Sequence, residues 1–292
     1  MAKASASDLV TLLVSCPDRR GLVAALAQLL YGHGVNILDA DQHTDDSVGQ
    51  FFQRIHCDMS EMHGDRHTME QAIDEVAERF SMRVQLSYGD RRRRVAVLVS
   101  KADHCLHDLL LRHRAGELSC DIPLVVSNHP TLEPVATAHG VEFHELSITA
   151  GDARSKVEQE AALASLLDEH GIDLIVLARY MQILTPEFCA RFGDRIINIH
   201  HSFLPAFIGG KPYHQAHARG VKVVGATAHY VTESLDEGPI IEQDVMRVSH
   251  RDSVKDLIRK GRDLERLVLS RAVRLHLDDR VLVCGNKTVV FD

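Results

Sequence analysis

Apolar positions along the chain follow two spacings in turn. Residues 9–15, LVTLLVS, form a short apolar run that stops at the turn-like CPDRRG, as a buried strand does. Residues 21–33, GLVAALAQLLYGH, carry Leu22, Val23, Leu26, Leu29 and Leu30 at helical spacing. GVNILDADQHT alternates and predicts a strand, GQFFQRIHCDM predicts another, TMEQAIDEVAERF a helix and SMRVQLSY a fourth strand. The order βαββαβ within residues 1–88 is that of a ferredoxin-like domain, two helices on one face of an antiparallel sheet. GDRRRR at 89–94 then resets the periodicity and reads as a solvated linker rather than a phosphate patch.

From residue 95 to 292 the pattern is different. The apolar strands VAVLVS, IPLVVSN, VEFHEL, IDLIVLA and RIINIH alternate with the helices HCLHDLLLRHRAG, PVATAHG, SKVEQEAALASLLDEHG and TPEFCARF. Near-continuous apolar strands between amphipathic helices predict a mostly parallel, doubly wound sheet covered on both faces. The chain is therefore expected to be α/β throughout, with a small ferredoxin-like domain ahead of a larger parallel one. In open sheets of the second kind, ligands bind beyond the carboxyl ends of the strands.

Composition narrows the function. The net charge of −8 argues against a nucleic-acid partner. No apolar run nears the roughly 20 residues of a membrane span, and MAKASASDLV lacks a signal-peptide core, so a cytoplasmic location is expected. The six cysteines form no CxxC pair and read as reduced, core-filling thiols. Nineteen histidines show no HExxH spacing, so no metal is expected.

Polar residues then appear where an apolar strand should end. RIINIHHSFLPAF places Asn198 and His200 at the carboxyl end of a predicted strand. Asp236 follows in the loop between strands VVGATAHYVT and PIIEQDVM. An amide, an imidazole and a carboxylate suit attack on a carbonyl. The amide donates to an oxyanion, the imidazolium does likewise, and the carboxylate moves a proton. The sequence alone does not show that these groups meet. No GxSxG elbow supplies a nucleophile, so direct transfer or hydrolysis is favoured over a covalent intermediate.

NIHHSFLPAF, followed by ATAHYVTESLDEGPII, closely resembles the folate-dependent formyltransferase family, in its Asn-x-His strand end, Ser-x-Leu-Pro loop and Asp before Gly-Pro. The resemblance covers roughly residues 95–290. It implies that Asn198, His200 and Asp236 are the catalytic trio and that a 10-formyl folate is the substrate, with no separate cofactor. It also implies that LARYMQIL, residues 177–184, receives the pteridine, with contacts around Met181, Gln182, Ile183, Leu184 and Glu233. The residues themselves leave ordinary core packing open for Met181, Ile183 and Leu184.

Members of the family differ in who accepts the formyl group. A ribonucleotide acceptor needs a glycine-rich phosphate turn after the first strand. Here VLVSKADHCLHDLL has no glycine, though Lys101 is available to an anion. A tRNA acceptor calls for a basic surface that this acidic chain lacks. The branch that passes the formyl group to water carries an ACT domain in front, which the βαββαβ unit matches. GGKPYHQAH at 209–217 is similar to the loop of that branch, with Gly209-Gly210 where Gly-Ala is usual. Transfer to a small amine is the alternative. Tyr213 and His214 are candidates for placing the water or closing the pocket, although a surface helix start explains them equally. Resemblance to ACT domains implies a small amino-acid effector near Asp18, Arg19, Gly21 and Asn36, with capping and turn formation as the plainer explanation, and a homo-oligomer.

Overall fold

A computed structural model describes residues 5–148, 153–205 and 212–291, and the chain divides into two compact units. In the first, β1 (Leu9–Pro17), α1 (Leu22–Gly32), β2 (Asn36–Asp45), β3 (Gln50–Asp58), α2 (Arg66–Phe80) and β4 (Arg83–Tyr88) follow the expected βαββαβ order. The strands make an antiparallel sheet in the order β2-β3-β1-β4. Alternate residues of β1 and β3, including Leu12, Val14, Phe51 and Ile55, turn to one face. There they pack with Leu26 and Leu30 of α1 and Met69 and Ile73 of α2.

The second unit starts at Arg93, inside the stretch expected to be linker. Arg93 and Arg94 open β5 (Arg93–Val99) because their long side chains find acceptors: Arg93 donates to His276 O at 2.6 Å and Arg94 to His170 O. The unit continues through α3 (His104–Arg114), β6 (Cys120–Ser127), α4 (Glu133–Ala138), β7 (Glu142–Glu145), α5 (Ala153–Glu169) and β8 (Leu174–Leu177). Then come α6 (Pro186–Phe192), β9 (Ile196–His200), α7 (Pro212–Arg219), β10 (Val223–Tyr230), β11 (Ile240–Arg247) and α8 (Val254–Leu277). The seven strands are ordered β11-β10-β9-β8-β5-β6-β7. All neighbours from β7 to β9 are parallel, while β10 runs antiparallel to both of its neighbours. The chain moves outward from β5 to β6 and β7, then returns to place β8 on the other side of β5. The strand order reverses at β5/β8, and such a reversal opens a crevice at the carboxyl ends.

After α8 the chain forms the hairpin β12 (Val281–Cys284) and β13 (Lys287–Val290). Asp279–Cys284 and Val289–Asp292 belong to the first unit, which corrects the assignment of all of 95–292 to one domain. The cause is apolar burial. Leu13 and Phe52 point away from α1 and α2, and Leu282 and Phe291 cover them. Arg54 Nε also donates to Asp279 O at 3.0 Å. Among the described residues no helix is long and apolar enough to cross a membrane. Five of the six cysteines are buried thiols and Cys284 is half-buried.

Candidate active site

Strand register builds the centre of the site. Asn198 and His200 are two residues apart on β9 and so share a face. Across the antiparallel pairing, Asn198 lies directly opposite His229 of β10. The Asn198 amide nitrogen is 3.2 Å from His229 Nε2, and His229 Nδ1 is 2.8 Å from Tyr230 O. A carbonyl only accepts, so the proton sits on Nδ1 and Nε2 receives an amide N–H from Asn198. Burial also holds His229 below its ordinary pKa, which keeps it neutral. One Asn198 N–H is thereby fixed, and the other is left for a ligand.

The turn after β10 delivers the carboxylate. Tyr230 N donates to Pro239 O at 2.9 Å, and a Cβ at Gly238 would lie 1.8 Å from Tyr230 O. Only glycine permits that approach, which accounts for the Asp-Glu-Gly-Pro wording of the loop. Asp236 takes a left-handed backbone, φ +58°, a conformation aspartate tolerates better than most residues. Its Oδ2 is 3.2 Å from His200 Nδ1 and its Oδ1 3.9 Å from His229 Nε2. The hydrogen bond from His200 holds Asp236 below the usual carboxylate range, against the opposing effect of burial. His200 is 5 % exposed, and its buried Nε2 has no hydrogen-bond partner. The three residues picked from separate segments thus meet, with one imidazole nitrogen and one amide N–H uncommitted.

These groups line a cavity of about 620 Å³ at the carboxyl ends of β8 and β9. Its rim includes Met181, Gln182, Ile183, Leu184 and Glu233, as well as Tyr213 and His214. Met181 and Ile183 are 60 % and 65 % exposed, so core packing does not explain them, whereas Leu184 is buried and joins the core. Leu235, also exposed, lines the same cavity. Three apolar side chains left open around one cleft suit a flat ring. The loop that presents Met181 and Ile183 is tied at both ends. Met181 N donates to the buried Ser100 Oγ at 2.9 Å, and Ser100 donates to Asn128 Oδ1 at 2.6 Å. Thr185 N donates to Glu160 Oε1 at 3.0 Å.

The far wall holds a buried carboxylate, Glu265 of α8, 1 % exposed. It accepts from Tyr213 Oη at 2.7 Å and from His104 Nε2 at 2.8 Å, with Arg179 Nε 3.4 Å away. Burial alone would raise its pKa, but these donors together hold it below the ordinary glutamate value. His104, Cys105 and Glu265 lie close enough to share an ion, as do Glu142, His144 and His170. In the first group burial lifts the Cys105 thiol far above its ordinary pKa, and both Glu265 oxygens already have partners, so the donor set is poorly suited to a cation. Lys101 is exposed and lies outside the cavity lining.

His229, Ser100, Arg179 and Glu265 were not singled out from sequence. His229 alone left a signal, an imidazole at an inward position of the small-residue strand ATAHYVT. Gly209-Gly210 lie outside the described residues. In the first unit Asp18, Arg19, Gly21 and Asn36 are all exposed. Gly21, φ +93°, immediately precedes α1 as its N-cap, and no side chain caps that helix, so Asp18 is not its cap. Arg19 donates to Phe80 O and lies over the Phe80 ring.

Comparison with known proteins agrees with this architecture. Residues 93–273 match the Formyl transferase family model and residues 10–77 the ACT domain model. A formyltetrahydrofolate deformylase of Synechocystis sp. is 56 % identical, over 96 % of this chain and 98 % of that protein. One of Bacillus subtilis is 48 % identical, over 96 % and 93 %. The crystal structure of a formyltetrahydrofolate deformylase from Pseudomonas syringae superposes with a TM-score of 0.94 at 46 % identity, covering 97 % of this chain and 94 % of that one. A glycinamide ribonucleotide transformylase from Symbiobacterium toebii matches with a TM-score of 0.64 at 35 % identity, over 69 % of this chain and 95 % of its own. With a parallel-sheet unit of formyl-transferase type, an ACT unit ahead of it and full-length relatives at this identity, the chain belongs to the formyltetrahydrofolate deformylase family.

Proposed function

We propose that the chain hydrolyses 10-formyltetrahydrofolate to formate and tetrahydrofolate. The observation that carries the reaction is the unpartnered Nε2 of His200, beside the free N–H of Asn198 and backed by Asp236 at 3.2 Å. The pteridine lies against Met181, Ile183, Leu184 and Leu235, with backbone around Gln182 and Glu233 at its edge. This places the N10 formyl group between Asn198 and His200.

Water adds to the formyl carbon and gives a proton to Asp236, directly or through solvent. The oxyanion receives hydrogen bonds from Asn198 and from protonated His200, whose Nδ1–H stays on Asp236. One such donor is worth about 100- to 1,000-fold in rate. On collapse the C–N10 bond breaks, the proton held at Asp236 passes to N10, and formic acid leaves and ionises. Tyr213 and His214 close the side opposite the folate. The reaction draws on no separate cofactor or metal.

The ACT unit is proposed to bind a small amino acid near Asp18 and Asn36 and to pair with a second copy. Edge strand β2 supports the pairing, being exposed along nearly its whole length with Ile37 and Leu38 open. The enzyme is placed in the cytoplasm, with neither nucleic acid nor membrane as a partner.

The decisive experiment supplies 10-formyltetrahydrofolate in amine-free buffer and measures both products. Formate and tetrahydrofolate should appear one for one. Product that forms only when an amine is added would overturn hydrolysis in favour of transfer to a small amine.

A further inference from the structure

We propose that Tyr213 is the residue that restricts the formyl acceptor to water. The inference rests on the hydrolytic reading and names the feature of this site that enforces it.

Tyr213 is the third ring of a run that begins at the reacting imidazole and passes through His201. The His200 and His201 ring centroids are 5.3 Å apart, and those of His201 and Tyr213 are 6.1 Å apart. Although it lines the cavity, Tyr213 is only 8 % exposed. Its seat is built from one face of α8. The Tyr213 hydroxyl donates a hydrogen bond to Glu265 Oε1 at 2.7 Å. Gly261, one helical turn earlier, provides the room: a Cβ there would lie 1.9 Å from Tyr213 Oη and 2.2 Å from its Cζ. A glycine in the middle of a helix weakens it, and no positive φ requires one at this position. The close approach of the phenol is what requires it. Glu265 in turn is occupied by His104 on its second oxygen. Gly261, Glu265 and His104 take no part in the hydrolytic steps.

The arrangement acts against an amine in two ways. An amine acceptor carries atoms beyond its nucleophilic nitrogen, and the Tyr213 ring fills space that they need. Its remaining polar groups also need partners, and the carboxylate of this wall is already committed to Tyr213 and His104. Desolvating a polar acceptor against a wall whose carboxylate has both oxygens taken is a strong basis for rejection. Water needs neither the space nor the partner. Removing the ring opens the volume and frees one Glu265 oxygen as an acceptor for an amine N–H. The amine nitrogen then bonds to the formyl carbon, the C–N10 bond breaks, and the amine proton passes by Asp236 to N10.

The test supplies 10-formyltetrahydrofolate and glycinamide to the full-length protein and measures formate and N-formylglycinamide by mass spectrometry. The wild type should give formate alone. Tyr213→Ala should raise the ratio of formylamide to formate at least tenfold. Gly261→Ala, which drives the ring from its seat, should shift the ratio the same way, and Tyr213→Phe, which keeps the ring but frees the Glu265 oxygen, should shift it less than Tyr213→Ala does; a shift in Tyr213→Phe as large as in Tyr213→Ala would overturn the role given to the ring. An unchanged ratio in folded Tyr213→Ala overturns the proposal, as does loss of both products in that variant while folate still binds. If Tyr213→Ala does not fold, the ratio in Gly261→Ala decides. Failure of the wild type to release formate would be seen first, and it would count against hydrolysis rather than against Tyr213.

Discussion

Asp236 combines a left-handed backbone with a carboxylate held to His200, so its geometry is set from both ends. Non-glycine residues in that region cost energy and persist where the surroundings fix them. Arg179, φ +66°, is a second such residue on the same cavity. Asp236→Asn keeps the shape and removes the base. It should lower kcat by about 10²- to 10⁴-fold, the usual range for a positioned acid or base, while folate affinity measured by fluorescence titration stays within a few-fold of wild type. Near-normal turnover would remove Asp236 from the proton path. The trio was legible in sequence because two motifs name it. Its meeting was not, because that depends on β9/β10 register and on the Gly238 contact with Tyr230 O. His229 was missed for a related reason. Its role in aligning the Asn198 amide exists only across the strand pair, and a histidine inside a strand is otherwise unremarkable in a sequence.

Elements that present the substrate loop are coupled through side chains buried at strand ends. Ser100 follows β5, Met181 follows β8, and the bond between them ties the loop to the crevice where strand order reverses. Ser100→Ala leaves the Met181 N–H without this partner and removes a restraint from the exposed apolar rim. With a net worth of about 1 kcal/mol for one such bond, the expected result is a KM about fivefold higher and a nearly unchanged kcat, since no reacting group is touched. A fall in kcat with KM constant would mean that Ser100 instead supports the trio. Strands up to residue 246 and helices up to α6 were readable because each carries a clear apolar period, whereas the polar α7 does not. The long helix α8 carries one too, and Ser253 with Asp256 forms a capping box at its start. What the pattern could not reveal is that Gly261 and Glu265, both unusual on a buried helix face, serve one tyrosine from α7.

At the scale of the whole molecule, the hidden feature was the return of the C-terminus to the first unit. Two strands of four residues leave almost no periodic signal, and Leu282 and Phe291 show their purpose only against Leu13 and Phe52. Phe291→Ala should destabilise the first unit by about 3–5 kcal/mol, as truncation of a buried phenylalanine does. Faster hydrogen exchange in β1 and β3 would report it, and unchanged protection there would show that the hairpin is dispensable. The second unit carries a different liability, its half-buried histidines His201 and His276. Burial lowers His201 from the ordinary 6.5 to about 4 and His276 to about 3. The unfolded chain takes up protons at these positions near pH 6.5 while the folded chain does not, so acid favours unfolding. Each such group removes about 1.4 kcal/mol per pH unit below 6.5 until its folded pKa is reached. The lowered carboxylates act elsewhere: Asp236 and Glu265 contribute stability above about pH 4 and lose it only as pH falls through their depressed values. Between pH 6.5 and 5 the histidines therefore dominate. The melting temperature of the second unit should fall steadily across that interval. His276→Asn should melt lower at pH 7, having lost its hydrogen bond with Tyr230, yet show a shallower fall toward pH 5, because one of the titrating groups is gone. Parallel curves for the variant and the wild type would show that some other group drives the acid unfolding.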